Sequence, residues 1–233
     1  MAEDVFGHAL HDYFHREMTE PLWLHNSYGD REEMPVDVFF REPDEFPELE
    51  DLALAFCDGR VLDVGAGAGS HALYLQMQGL NVTALELSPQ ACVVMCGRGV
   101  RHVVQGDYFK FQSGRFDTLL FMMNGIGIAG TVDGLKTVLH HAKTLLSIGG
   151  QLLFDSSDIA YLYADGTVGQ PMAYYGEIRY QYEYRGQRGL PFNWLFIDQE
   201  TLIQVGHSDG WVVQILFEDE HGQYLVRMVP KAG

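Results

Sequence analysis

Residues 61–70 read Val61-Leu62-Asp63-Val64-Gly65-Ala66-Gly67-Ala68-Gly69-Ser70. The apolar run Arg60–Val64 meets three glycines at alternate positions, and an apolar-periodic stretch follows over 69–78. That pattern is a strand, a tight turn and a helix. Glycine admits positive φ in such a turn and lets a ligand approach the backbone closely. Gly79 stops the helix. Downstream, Asn81–Glu86 is a second apolar run, Ser88-Pro89 caps a helix to about Gly97, and Val100–Val104 is a third strand. Phe116–Met122 is a fourth. A helix over Val132–Leu146 ends at Gly149-Gly150, and Gln151–Asp155 is a fifth strand. Strands alternating with helices predict an α/β, doubly wound, mostly parallel sheet. Its unbroken apolar runs suit strands covered on both faces. The glycine turn then lies at the C-terminal ends of the strands, where such folds bind ligands.

Two ligands compete for the turn. A dinucleotide fingerprint is G-x-G-x-x-G/A, with pyrophosphate on the helix N-terminus. Here the third glycine comes one position early, and Asp63 stands two residues before the first. A carboxylate there repels pyrophosphate but suits an ammonium or a sulfonium. On these residues the chain resembles the class I S-adenosylmethionine (SAM) methyltransferases, whose first motif looks like VLDVGAGAG. The resemblance implies a Rossmann-like, seven-stranded sheet with an antiparallel last strand. It implies SAM as cofactor and S-adenosyl-L-homocysteine (SAH) as product.

The resemblance extends to further positions. Glu86 ends the second strand, where an acid accepts from both ribose hydroxyls. Gln105-Gly106-Asp107 resembles the third motif, whose acid meets the adenine amino group, and Tyr108 and Phe109 are candidates to pack on the purine. Residues 116–125 resemble the fourth-strand motif, whose end lies near the transferred methyl. The implied cofactor set is Asp63, Gly65, Ala66, Gly67, Glu86, Leu87, Gly106, Asp107, Tyr108 and Met123. His25, His71 and Asn124 are weak catalytic candidates, each with an ordinary structural reading beside it. Asn124 matches amino methyltransferases in position only, because Gly125-Ile126-Gly127 lacks their Pro-Pro-aromatic signature.

The resemblance covers about 52–157 and 198–233. It predicts four regions: an N-terminal arm or lid (1–50), the cofactor-binding core (51–157), an antiparallel β insertion over the site (158–197) and a closing helix with two strands (198–233). In the arm, residues 3–17 have helical periodicity, VDVFF (36–40) reads as extended and a helix is expected from Pro43 to Phe56. The rest of 18–50 reads as irregular. In the insertion, Glu177–Tyr184 alternates strictly and pairs with 191–197 across a Gly-containing turn. Both outlying regions are rich in aromatic residues, which suggests a roof over a small, enclosed acceptor. Arg179 and Arg185 read either as carriers of a substrate carboxylate or as solvated hairpin residues.

Composition bounds the rest. Hydrophobic residues are 47% and charged residues 20%, an ordinary globular balance. No stretch approaches the roughly 20 apolar residues of a membrane span. The acidic, His-rich N-terminus is neither a signal nor a transit peptide. Thirty-two acidic against fifteen basic side chains give a net charge of -17, so nucleic acid is a poor partner. Cys57, Cys92 and Cys96 form no CxxC pair and read as reduced thiols of a cytoplasmic protein. His8, His11 and His15 share a helix face, more consistent with a solvated face than with a metal site, and no metal is expected. The expected activity is methyl transfer to a small molecule. The competing readings are a SAM-binding protein with little catalysis, a protein or RNA methyltransferase, and an NAD(P)-dependent oxidoreductase. Oligomeric state is left open.

Overall fold

Arg60–Val64 becomes a strand with helices on both sides, and the rest of the chain is arranged around that layer in the computed structural model, which describes residues 4–164, Gly166, Gly169 and 172–231. In chain order, helix α1 (Val5–Phe14) is followed by strands β1 (Leu22–His25) and β2 (Glu32–Met34), two 3-10 turns and helix α2 (Glu48–Ala55). Next come β3 (Arg60–Val64), α3 (Ser70–Met77), β4 (Asn81–Glu86), α4 (Pro89–Arg98), β5 (Val103–Gln105), β6 (Phe116–Phe121), α5 (Val132–Leu145) and β7 (Leu146–Ser157). The chain continues with β8 (Glu177–Tyr184), β9 (Gln187–Arg188) and β10 (Phe192–Leu195), and closes with α6 (Gln199–Ser208), β11 (Trp211–Glu218) and β12 (Gln223–Pro230).

The larger sheet has seven strands in the order β11-β12-β7-β6-β3-β4-β5. The pairs from β7 to β5 are parallel, and β12 lies antiparallel between β7 and β11. Neighbouring residues serve opposite cores. Leu62, Leu119, Leu152 and Val226 pack with α5 and α6, while Val61, Leu120, Leu153 and Leu225 pack with α2 and α3. That two-sided burial is why the strand sequences do not alternate.

The smaller sheet has the order β10-β8-β1-β2, with β9 on β8. The β8–β10 hairpin forms as its alternation predicts, with Tyr180 opposite Phe192. The arm departs from expectation. Residues read as irregular supply β1 and β2, and β1 pairs antiparallel with β8, Leu24 facing Tyr182. A four-residue strand carries little local signal when its partner is so distant in sequence. Asp37–Phe40 is a 3-10 turn, not an extended segment. The helix expected from Pro43 is broken: a 3-10 turn at Pro43–Glu45 is followed by extended Phe46, because Pro47 disfavours helical geometry in the residue before it. Val100 is not in the third strand; its N–H closes the end of α4 on Met95 O (3.0 Å) after left-handed Gly99.

Candidate active site

The turn after β3 is held by its own backbone. Gly65 N and Ala66 N both donate to Leu85 O (2.9 and 3.2 Å), tying the turn to the end of β4. Gly65 has φ 71° and a Cβ there would meet nothing within 4 Å, so the chain presents bare backbone to open space. Gly69 differs. A Cβ there would stand 2.9 Å from both Met95 and Val100, so that glycine serves packing. Over the turn lies the 37–40 segment: Ser70 Oγ donates to Phe39 O (2.9 Å), and Arg98 donates to both Ala68 O (2.9 Å) and Phe40 O (3.4 Å).

Three acids lie within the last three residues of three strands, and the two-residue period of each strand turns all of them to the face that α2 and α3 cover. Asp63 follows Val61, Glu86 follows Ala84 and Asp155 follows Leu153. Glu86 accepts Gly67 N at Oε2 and Ser88 N at Oε1, both at 2.9 Å. Its burial nonetheless raises its pKa. Asp63 is 2% exposed and its Oδ2 has no hydrogen-bond partner. Burial pushes its pKa up to about 6, against the opposing pull of His71 and the Ala72 N–H. Asp155, 1% exposed, accepts Asn124 N (2.9 Å) and Gln223 Nε2 (3.1 Å) at Oδ2, and its Oδ1 has no partner. Burial pushes it up to about 6 as well. Nothing in the sequence reading singled out Asp155, although an apolar run ending in an acid is the same signal that Asp63 and Glu86 gave.

The weak catalytic candidates are committed elsewhere. His71 Nε2 lies 2.8 Å from Glu50 Oε2, and Glu50 Oε1 lies 3.0 Å from Arg41. Burial lowers the pKa of His71, but Glu50 and Asp63 outweigh it and the net shift is upward. It is therefore held between carboxylates rather than left as a free base. Asn124, at φ 54°, gives its amide N–H to Leu195 O (3.1 Å) and accepts Ser156 Oγ (3.0 Å). His25 sits on the outer face of the smaller sheet, paired with Glu183 at 2.8 Å beside Arg31 and Arg188. Arg185 is bound to Asp12 (2.9 Å), and Arg179 is exposed.

At the β4 and β5 tips, Gly106 N donates to Glu86 O (2.9 Å) and Asp107 caps the next turn through Phe109 N (3.0 Å). Leu87 and Phe109 are exposed beside them, whereas Met123, at φ 58°, packs partly buried against the core. Tyr108 requires a correction. Its ring is buried, stands edge-on to Phe121 and donates its hydroxyl to Val138 O (3.1 Å), so the side chain is not free to pack on a purine. Phe109 is the aromatic side chain left exposed there.

The smaller sheet is fastened at both ends. Asn124 holds Leu195, and Ile197 N donates to Ser156 Oγ (3.1 Å) at the β6–β7 end. At the other end, Tyr184 donates to Asp12 (2.9 Å) and Tyr182 stacks on Phe6 (5.3 Å). Tyr182 is pushed up by burial, with Tyr180 and Glu86 adding to the shift, so its hydroxyl lies within the field of the β4 acid. Asp4 joins α1 to the start of α4 through Ser88 Oγ (2.7 Å) and Gln90 N (3.1 Å). Among the described residues, no three His, Cys, Asp or Glu side chains are grouped to hold a metal; the His11 and His15 rings lie 4.4 Å apart, tilted by 48°. Also among the described residues, no helix is long and apolar enough to cross a membrane.

Residues 62–154 match the family model described as a methyltransferase domain. A SAM-dependent methyltransferase from Bacteroides fragilis, solved in complex with SAH, is 38% identical. The match covers 98% of this chain and 95% of that one, with a TM-score of 0.91. The CcbJ methyltransferase from Streptomyces caelestis shares the fold at 16% identity and TM-score 0.62, over 81% of this chain and 94% of that one. So does the sugar N-methyltransferase KedS8 from Streptoalloteichus, at 18% identity and TM-score 0.59, over 88% and 96%. No curated protein matches the sequence.

Proposed function

The chain belongs to the SAM-dependent methyltransferases, and from that premise we propose that it methylates a small molecule enclosed between its two sheets. The observation that carries this reading is the roof. An aromatic sheet built from both outlying regions is hydrogen-bonded to the β6–β7 tips at one end and to α1 at the other. A flat macromolecular surface fits poorly beneath such a cover, and a net charge of -17 opposes nucleic acid.

The residues fit the cofactor. The bare oxygen of Asp63 suits the methionyl ammonium, and the open backbone at Gly65, with Ala66 and Gly67, suits the amino-acid tail. Glu86, its two oxygens already aligned by backbone N–H groups, takes the ribose. Leu87, Gly106 and Asp107 border the adenine, with Phe109 as the stacking ring, and Met123 lies towards the acceptor. The bound donor supplies a methyl group already activated by a positive sulfur. Transfer by in-line displacement leaves the protein to align the acceptor and exclude water. The roof and the 37–40 segment do the second.

The test is incubation with methyl-labelled SAM and either the low-molecular-weight or the macromolecular fraction of a cell extract. Label should enter the small-molecule fraction. Label confined to protein or RNA would overturn the assignment.

A further inference from the structure

We propose that Asp155 is an acceptor-binding residue and that the acceptor it binds is an amine. This rests on the small-molecule reading above and deepens it. Asp155 lies two residues before the end of the fifth core strand, β7, and β12 and the Asn124 turn hold one of its oxygens through Gln223 and a backbone N–H. The other oxygen is buried without a partner. A buried carboxylate lacking a donor is unstable unless something supplies one.

The charges around it say what that something is. Glu50 is answered by Arg41 and His71, and Glu183 by His25, Arg31 and Arg188. His71 also lies in the field of Asp63. Among the described residues no Lys, Arg or His stands within ion-pair distance of Asp155, and Glu50 adds a second negative field. A group that donates an N–H and also carries positive charge answers that oxygen best. An alcohol supplies the donor without the charge, and a carboxylate or phosphate supplies neither.

Its position separates it from the cofactor tail. Asp63 is level with Leu120, and Leu120 with Leu153. Asp155 is thus two strands across from Asp63 and two residues nearer the C-terminal edge, about 10 Å sideways and about 7 Å along. One ammonium cannot serve both bare oxygens at that separation. Asp63 and Asp155 are two seats, the first for the donor's amino-acid end and the second for a different molecule.

The experiment uses the SAH-loaded protein, titrated calorimetrically with benzylammonium, benzyl alcohol and benzoate as probes. Benzylammonium should bind, the alcohol about tenfold more weakly or less, and benzoate not at all. Asp155→Asn should lose about tenfold or more in benzylammonium affinity while holding SAH within about twofold of wild type. Asp155→Ser carries the same test if the Asn variant does not fold, with SAH binding as the measure of folding. Equal binding of amine and alcohol, no binding of the amine to wild type, or full amine affinity in the variant would each overturn the proposal. None of these results touches the small-molecule reading, which falls only if labelled methyl goes to macromolecules.

Discussion

The tip of β4 and the tips of β3 and β7 solve the same problem in opposite ways. Each carries a buried acid on the same face of one sheet. Glu86 at β4 has a backbone N–H on each oxygen, whereas Asp63 and Asp155 each keep one oxygen bare. The first acid is part of the fold whether or not a ligand is present. The other two raise the free energy of the empty protein and recover it when a donor arrives. One end of the cleft is thus built in advance, and the other is completed by what it binds.

Glu86→Ala strips two buried N–H groups of their acceptor and should cost about 3 kcal/mol of stability, with SAM affinity falling about tenfold or more. Urea denaturation and calorimetric titration measure the two effects. Wild-type stability in that variant would erase the distinction. Asp63→Asn should act with the opposite sign, stabilising the empty protein at pH 7 by about 2 kcal/mol while weakening SAM binding. The ceiling is about 3 kcal/mol, from a pKa moved from 3.8 to about 6 at about 1.4 kcal/mol per unit.

The sign follows from proton counting. With its pKa raised, the folded Asp63 holds more protons than the unfolded one between about pH 4 and 6, so stability falls as pH rises through that window, and the penalty is complete above it. Asp155 adds to the same slope, and so does Glu86, whose pKa burial also raises. The raised pKa of His71 acts in the same direction, its contribution present at low pH and lost as pH climbs past its folded value. Melting temperatures of the ligand-free protein should therefore rise as pH drops from 7 to about 5, and Asp63→Asn should flatten that rise. A flat wild-type profile would mean these carboxylates are not burdened.

Smaller effects probe the roof and the adenine end. Asn124→Ala releases Leu195 O and Ser156 Oγ and should cost about 1–2 kcal/mol. Faster amide exchange confined to β10 would identify the lost tether, and uniform exchange would refute it. Phe109→Ala should leave stability unchanged within about 0.5 kcal/mol, because the ring is exposed, and lower SAM affinity about three- to tenfold. Unaltered affinity there would remove Phe109 from the adenine site.

Much of this molecule could be read from local patterns. Arg60–Val64 and Asn81–Glu86 are strands in the structure with the predicted bounds, since buried parallel strands announce themselves by apolar runs and the glycine turn by its spacing. The acids at Asp63 and Glu86 followed from those strand ends. Beyond that reach lay everything set by partners far away in the chain. β1 is a strand because β8 offers it hydrogen bonds, Tyr108 is a core residue because Val138 and Phe121 surround it, and His71 is tied down because Glu50 comes to meet it. Whether an acid at a strand end is satisfied or bare is likewise invisible in its neighbours' names. Side-chain type and backbone period are properties of short segments, but hydrogen-bond satisfaction and desolvation depend on atoms that meet only once the chain has packed.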